Sequence, residues 1–100
     1  MTPRLTISGA RATITLTGKF DFHSRQPFNQ ALEKALASQA REVVIHLGEV
    51  SYLDSSALGL LLVSQDKAKT AAKTLLLGGV QGAVKQVLEI ANFHKRFPFI

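Results

Sequence analysis

The chain has 100 residues, of which 46% are hydrophobic and 19% charged, and this composition is typical of one small folded domain and excludes a disordered segment. Twelve Lys and Arg residues outnumber seven Asp and Glu residues, but the basic residues are scattered from Arg4 to Arg96. Nucleic-acid binders usually carry a basic stripe with interleaved aromatic residues, so this scatter argues against direct nucleic-acid binding. The net charge of +5 would help an acidic protein partner to bind.

Cysteine is absent, which excludes disulfides, thiolate metal sites and a cysteine nucleophile. The N-terminal residues MTPRLTISG contain no apolar run of secretory length, and the apolar runs elsewhere are far shorter than the roughly 18 residues of a membrane span. We therefore expect a cytoplasmic protein of one domain, residues 1–100, with no direct membrane contact, no metal and no cofactor.

Alternating apolar and polar residues open the chain and predict a β-hairpin. Leu5 and Ile7 alternate with threonine and serine, and after a turn at residues 8–9 the same period continues through residues 12–17. Gly18 is expected to end the second strand. One face of this hairpin should lie in the core, and its threonines should face water or a partner.

The first helix is predicted to follow a loop at residues 19–23 that carries two bulky aromatic residues. Ser24 can cap this helix, and Pro27 is tolerated in its first turn. Apolar residues then recur at helical spacing and predict a buried stripe. The stripe consists of Phe28, Leu32, Ala35 and Leu36.

A short run rich in β-branched residues, residues 43–47, predicts a central strand that is buried on both faces and bounded by Gly48. After a connection over residues 48–53, Asp54 stands at the N-cap position of a second helix. Its predicted apolar stripe consists of Ala57, Leu58, Leu61 and Leu62. His46 lies within the strand, where a lone histidine is usually a core residue, and it is assigned no role.

The junction between this strand and helix combines an acidic cap with two hydroxyl groups. The Asp54 carboxylate can accept hydrogen bonds from backbone N–H groups at the positive end of the helix dipole. Ser55 and Ser56 occupy the first turn, where a hydroxyl reaches solvent and unpaired N–H groups tolerate an added anion. Ser56 is therefore a candidate phosphorylation site. Asp-Ser-Ser before an apolar run is also an ordinary capping sequence, and the spacing alone leaves both interpretations open.

The C-terminal part repeats the strand-helix plan. Residues 74–77 predict a short buried strand, and the glycine pair at 78–79 lacks the Lys-Ser/Thr of a phosphate-binding loop and is expected only to make the turn. Residues 96–100 surround Pro98 and predict a short edge strand. The predicted order is ββαβαβαβ, an α/β fold with a mixed sheet, because strand-helix-strand connections pair in parallel after the antiparallel hairpin.

The run Leu53 to Gly59, LDSSALG, resembles the signature of STAS domains, specifically the bacterial anti-sigma factor antagonists. The resemblance extends to the last strand and helix, LLLGGVQGAVKQVLEIANF, where Asn92 can provide the left-handed cap. It covers essentially the whole chain and implies a single STAS domain.

In that family the second serine of the pair is phosphorylated, which corresponds to Ser56. Asp54 matches the family's aspartate, and Gly59 matches a glycine in the same helical turn. Residues 18–21 match a segment that borders the partner-binding face, so the resemblance places Asp21 near Ser56, whereas from the sequence alone Asp21 is equally a local backbone cap. The implied partner-binding residues are Asp21, Asp54, Ser55, Ser56 and Gly59.

The resemblance implies a phosphorylation-controlled binding module in bacterial signal transduction. The unphosphorylated domain would capture an anti-sigma factor, usually one with a serine kinase fold, and so free a sigma factor for transcription. A serine phosphatase acting on Ser56 would restore the binding form.

Two other classes of function are weighed beside it. An accessory STAS subunit of an ABC-type membrane transport complex has the same fold and holds an ATPase component, although the full serine pair is less typical there. An enzyme with Ser56 as nucleophile would need glycine at the place of Asp54 and a converging acid-histidine pair. The spacing of His23, His46 and His94 does not favour such a pair, so no catalytic residue is expected.

Overall fold

The structure, a computed structural model, describes residues 1–100 and alternates strands with helices after an N-terminal hairpin. In chain order the elements are β1 (Arg4–Ser8), β2 (Arg11–Phe20), α1 (Arg25–Ala37), β3 (Glu42–Leu53), α2 (Ser55–Thr70), β4 (Thr74–Gly78) and α3 (Gly82–Ile90). Short 3-10 turns at Phe22–Ser24 and Phe93–Lys95 precede α1 and follow α3. The predicted α/β class is confirmed, and so is the order as far as ββαβαβα.

The four strands form one sheet in the order β1-β2-β3-β4. β1 and β2 pair antiparallel, whereas β2 with β3 and β3 with β4 pair in parallel. Ile14, Ile45 and Leu77 lie side by side across the three parallel strands. The predicted mixed sheet with an N-terminal hairpin is confirmed, with the hairpin turn at residues 9–10, one position later than expected.

One face of the sheet and the buried stripes of the helices share a single hydrophobic core. The strands contribute alternate residues, as period-two patterning requires when one face is covered. These residues are Ala12, Ile14, Leu16, Val43, Ile45, Leu47, Leu75 and Leu77. Phe28 of α1 packs on Phe20 at the end of β2, with ring centroids 5.3 Å apart. This packing holds the C-terminal end of β2 beside the first turn of α1.

β2 and β3 are both longer than predicted. Gly18 does not end β2 but lies within it at a φ of +79°, where the β2–β3 register shifts, and Gly48 does not bound β3. The predictions were wrong because a bulge lets both strands continue pairing beyond these glycines, up to Phe20 opposite Leu53. The expected connection over residues 48–53 is therefore strand, and Asp54 alone separates β3 from α2.

The predicted edge strand at residues 96–100 is reduced to an isolated bridge between Leu77 and Phe99. The Leu77 N–H donates to the Pro98 carbonyl and the Ile100 N–H donates to the Leu77 carbonyl, each at 2.9 Å. Pro98 has no N–H to donate, which limits the ladder at this edge. Asn92, at a φ of +62°, is the left-handed residue after α3 that the sequence predicts.

Candidate functional site

The site is built on the abrupt change from β3 to α2. Asp54 has extended backbone angles, and its carboxylate oxygen Oδ1 accepts a hydrogen bond from the Ala57 N–H at 3.0 Å. Its backbone carbonyl accepts the first helical bond, from the Leu58 N–H at 3.2 Å. The predicted N-cap is therefore present, and it fixes Ser55 and Ser56 as the first two residues of the helix.

The two serines differ in their surroundings. Ser55 is exposed, whereas Ser56 is half-buried and lines an open depression of about 450 Å³ between α1 and α2. Ala57 and Leu61, on the opposite side of α2, are fully buried and anchor the helix to the core. Ser56 thus lies on the open side of a firmly packed helix, where it lines the depression.

Gly59 lies one turn along α2 from Ser56 and lines the same depression. It is exposed, and a Cβ built on it would meet no other atom within 4 Å. The missing side chain is therefore not required by packing within the domain. It leaves open the part of the depression next to the serine.

Asp21 acts as a local cap and does not line the depression. Its Oδ1 accepts from the His23 N–H at 3.0 Å, and its own N–H donates to the Ser24 hydroxyl at 3.1 Å. The Ser24 hydroxyl donates in turn to the Lys19 carbonyl at 3.2 Å. The prediction that Ser24 caps α1 was wrong, because its side chain makes no hydrogen bond to that helix and bonds within the preceding 3-10 turn instead. Asp21 and Ser24 together hold that turn, which brings Phe22 rather than Asp21 to the depression.

Several residues of the depression were not predicted from the sequence. They are Phe22, Arg25, Asn29, Leu60 and Val63. Phe22 and Val63 are 56% and 50% exposed, so two large apolar side chains that line the depression face solvent. The signal that could have found them is that both are bulky apolar residues lying outside the predicted buried stripes. Exposed apolar side chains around a concave surface are typical of a protein-docking site.

The depression carries a positive charge and no acidic side chain. Arg25 is its only charged lining residue, and the guanidinium carbon lies 4.9 Å from the centre of the Phe22 ring. The carboxylates nearest in sequence, Asp21 and Asp54, each accept a backbone N–H in the cap of their own element. The surface around Ser56 is thus apolar with one cation, a character that suits an acidic protein partner better than another basic surface.

The histidines form no catalytic constellation with Ser56. None of the three lines its depression. His46 lies on the sheet, where its Nδ1 accepts from the Gly48 N–H at 3.4 Å and where a Cβ on Gly79 would come within 2.9 Å of its ring. His23 and His94 are exposed in the two 3-10 turns.

The His, Asp and Glu side chains of the domain form no group of three that could hold a metal ion. None of its helices has the length and apolar character that crossing a lipid bilayer requires.

Comparison with known proteins places this chain in a family. Residues 4–100 match the family model described as "Mlab, STAS domain". A STAS-domain containing protein of Pseudomonas aeruginosa (strain UCBPP-PA14) is 38% identical over 89 residues, which cover 89% of this chain and 87% of that protein.

Solved structures share the fold at lower identity. The unphosphorylated form of the anti-sigma factor antagonist SpoIIAA superposes with a TM-score of 0.74 at 17% identity, covering 99% of this chain and 87% of SpoIIAA. A sulfate transporter family protein from Wolinella succinogenes superposes with a TM-score of 0.79 at 16% identity, covering 94% and 80% of the two chains. The family match over nearly the whole chain, together with the Pseudomonas relative, shows that this protein belongs to the STAS domain family.

Proposed function

We propose that this domain is an anti-sigma factor antagonist, a binding module of the bacterial cytoplasm that captures an anti-sigma factor while Ser56 is unphosphorylated. The observation that carries the proposal is the position of Ser56, half-buried in an open depression and flanked by the exposed side chains of Phe22 and Val63. Two forms of SpoIIAA, unphosphorylated and phosphorylated, share this fold, which supports a phosphorylated serine as the regulatory device.

The docking surface consists of Phe22, Ser56, Gly59 and Val63, with Arg25 at its edge. Its apolar side chains can be buried by a partner at roughly 25 cal/mol for each Å² removed from water. The cap formed by Asp54 presents Ser56 on a rigid helix, so the partner meets a preorganised surface and little ordering cost opposes binding. Ser55, exposed beside it, lies at the rim.

Phosphorylation of Ser56 would change this surface chiefly through charge. A phosphoserine adds about 1.5 to 2 negative charges at neutral pH, in a place where an interface formed around a neutral hydroxyl would have to desolvate them. A loss of about 3 kcal/mol in binding free energy corresponds to more than a hundredfold weaker capture. No refolding is needed, because Ser56 already lines the open depression.

The partners in this cycle are an anti-sigma factor, a serine kinase, which can be the anti-sigma factor itself, and a serine phosphatase that removes the phosphate from Ser56. Asp54, Ser55 and Gly59 shape the surface that these proteins approach. Asp21 contributes through the turn that holds Phe22, and the domain itself supplies no catalytic group.

Capture from a lysate of the host tests this proposal. Ser56→Ala should retain an anti-sigma factor, identified by mass spectrometry, and Ser56→Asp should lose it. Ser8→Asp, an exposed serine in β1 outside the docking surface, is the matched control and should capture as the unchanged domain does. Equal capture by Ser56→Ala and Ser56→Asp would refute the switch.

A second candidate is an accessory subunit of an ABC-type transport complex. It is favoured by one observation, the shared fold of the sulfate transporter family protein from Wolinella succinogenes. In that case the same lysate experiment would return a transporter ATPase. The presence of both Ser55 and Ser56 at the start of α2 favours the regulator.

A further inference from the structure

We propose that Arg25 binds the phosphate group of phosphorylated Ser56, so that the modified domain carries its own counter-charge. This inference rests on the proposed function, because it takes Ser56 to be the modified residue. Arg25 lies outside the sequence motif of residues 53–59, and that motif gives it no role.

The geometry brings the two side chains to one place from different elements. Arg25 is the first residue of α1 and Ser56 the second residue of α2, and both line the depression of about 450 Å³ between these helices. Asn29, one turn further along α1, lines it too and offers an amide donor. A phosphoryl group on the Ser56 oxygen would therefore extend into a depression that Arg25 also lines.

Arg25 is free to take this anion. The ion pair within the domain joins Arg11 to Glu42 at 3.1 Å, and the closest group described for the Arg25 guanidinium is the Phe22 ring, 4.9 Å away. Stacking on an exposed ring is weak, whereas a guanidinium binds phosphate through two parallel, charge-assisted hydrogen bonds. The exchange requires only side-chain rotation.

The other charged groups around the depression make this cation important. Asp54 caps α2 two residues before Ser56, and Asp21 caps the 3-10 turn that carries Phe22, so both carboxylates disfavour a dianion nearby. His23, exposed in the same turn, and Lys19, whose carbonyl accepts from Ser24 of that turn, are further titratable groups nearby. Arg25 offsets the two acids, and once it pairs with the phosphate it is withdrawn from the surface offered to an acidic partner.

Titration of the phosphate by phosphorus NMR tests the proposal directly. Phosphoserine is introduced at position 56 during translation, and the pH dependence of its resonance gives the second pKa of the phosphate. A nearby cation favours the dianion, so Arg25→Gln should raise this pKa by about half a unit, about a threefold change in proton affinity. Arg25→Lys, which keeps the charge but loses the paired donors, should raise it by less.

Arg41→Gln is the matched control, since Arg41 is also an exposed arginine but lies before β3, at the end of that strand opposite to Ser56. It should leave the phosphate pKa unchanged. An unchanged phosphate pKa in Arg25→Gln, or an equal rise in Arg25→Gln and Arg41→Gln, would overturn the proposal. The titration needs neither a kinase nor a captured partner, so its result is independent of the lysate experiment that tests the function itself.

Discussion

The carboxylate of Asp54 accepts the backbone N–H of Ala57 at 3.0 Å, and this single bond sets where β3 ends and α2 begins. The two residues enclose Ser55 and Ser56, so the cap also fixes the direction in which the second serine faces. Leu53 before the cap and Ala57 within it are both buried, which ties the turn to the core on either side. The position of Ser56 thus depends on the side chain of Asp54, which caps the helix two residues earlier.

Removing this cap should cost stability. Asp54→Ala is expected to lower the free energy of unfolding by about 1 kcal/mol, because the Ala57 N–H loses its acceptor. Asp54→Asn should retain most of the stability, since asparagine caps about as well. Urea denaturation followed by circular dichroism measures both variants. If Asp54→Ala were as stable as Asp54→Asn, the cap would not hold the helix start.

The buried hydroxyl of Ser24 should contribute at least as much to stability as the Asp54 cap. Ser24 is 2% exposed, and Ser24→Ala leaves the Asp21 N–H and the Lys19 carbonyl without their partner. We expect the free energy of unfolding, measured by urea denaturation, to fall by about 1 to 3 kcal/mol. Capture of the partner should also weaken, because the turn positions Phe22. Ser8→Ala, at an exposed site in β1, should change stability by less than about 0.5 kcal/mol. Equal stability of the two variants would contradict this role for Ser24.

Gly59 allows stability and binding to be separated. Gly59→Ala should raise the free energy of unfolding by about 0.5 to 1 kcal/mol, because the position is helical and open to solvent. The added methyl group narrows the depression beside Ser56, so capture of the partner should weaken.

Gly82→Ala gives the opposite pattern and serves as the control for Gly59→Ala. Gly82 has a φ of +61° at the start of α3, so alanine there should cost about 1 kcal/mol or more and leave capture by the folded protein unchanged. If capture rose with stability in Gly59→Ala and fell with stability in Gly82→Ala, the depression would have no docking role.

Much of the fold was predictable because period-two and helical patterns mark which residues face the core. Ile14 lies on the covered face as its period-two spacing indicates, and Ile45 and Leu77 are buried as their apolar runs indicate. The Asp54 cap follows from its place before an apolar helix. The strand ends were not predictable from Gly18 and Gly48. Whether a glycine ends a strand or forms a bulge depends on its neighbour in the sheet, which is distant in the sequence.

The same reasoning explains what was predictable of the site. Ser56 and Gly59 belong to one local motif, so a single stretch of sequence identifies them. Phe22 and Arg25 reach the depression only because α1 packs beside α2, a tertiary relationship that no local pattern contains. Asp21 caps its own turn by accepting the His23 N–H, the local role that the sequence alone also allows, and it does not line the depression.

The affinity of the captured anti-sigma factor for two forms of this domain, unphosphorylated and fully phosphorylated at Ser56, tests the central claim most directly. Titration calorimetry with the purified partner should give a Kd at least about a hundredfold higher for the phosphorylated form, which corresponds to about 3 kcal/mol of lost binding free energy. Circular dichroism spectra of the two forms should coincide, because the switch acts through charge at the surface. Equal Kd values for the two forms would contradict the account.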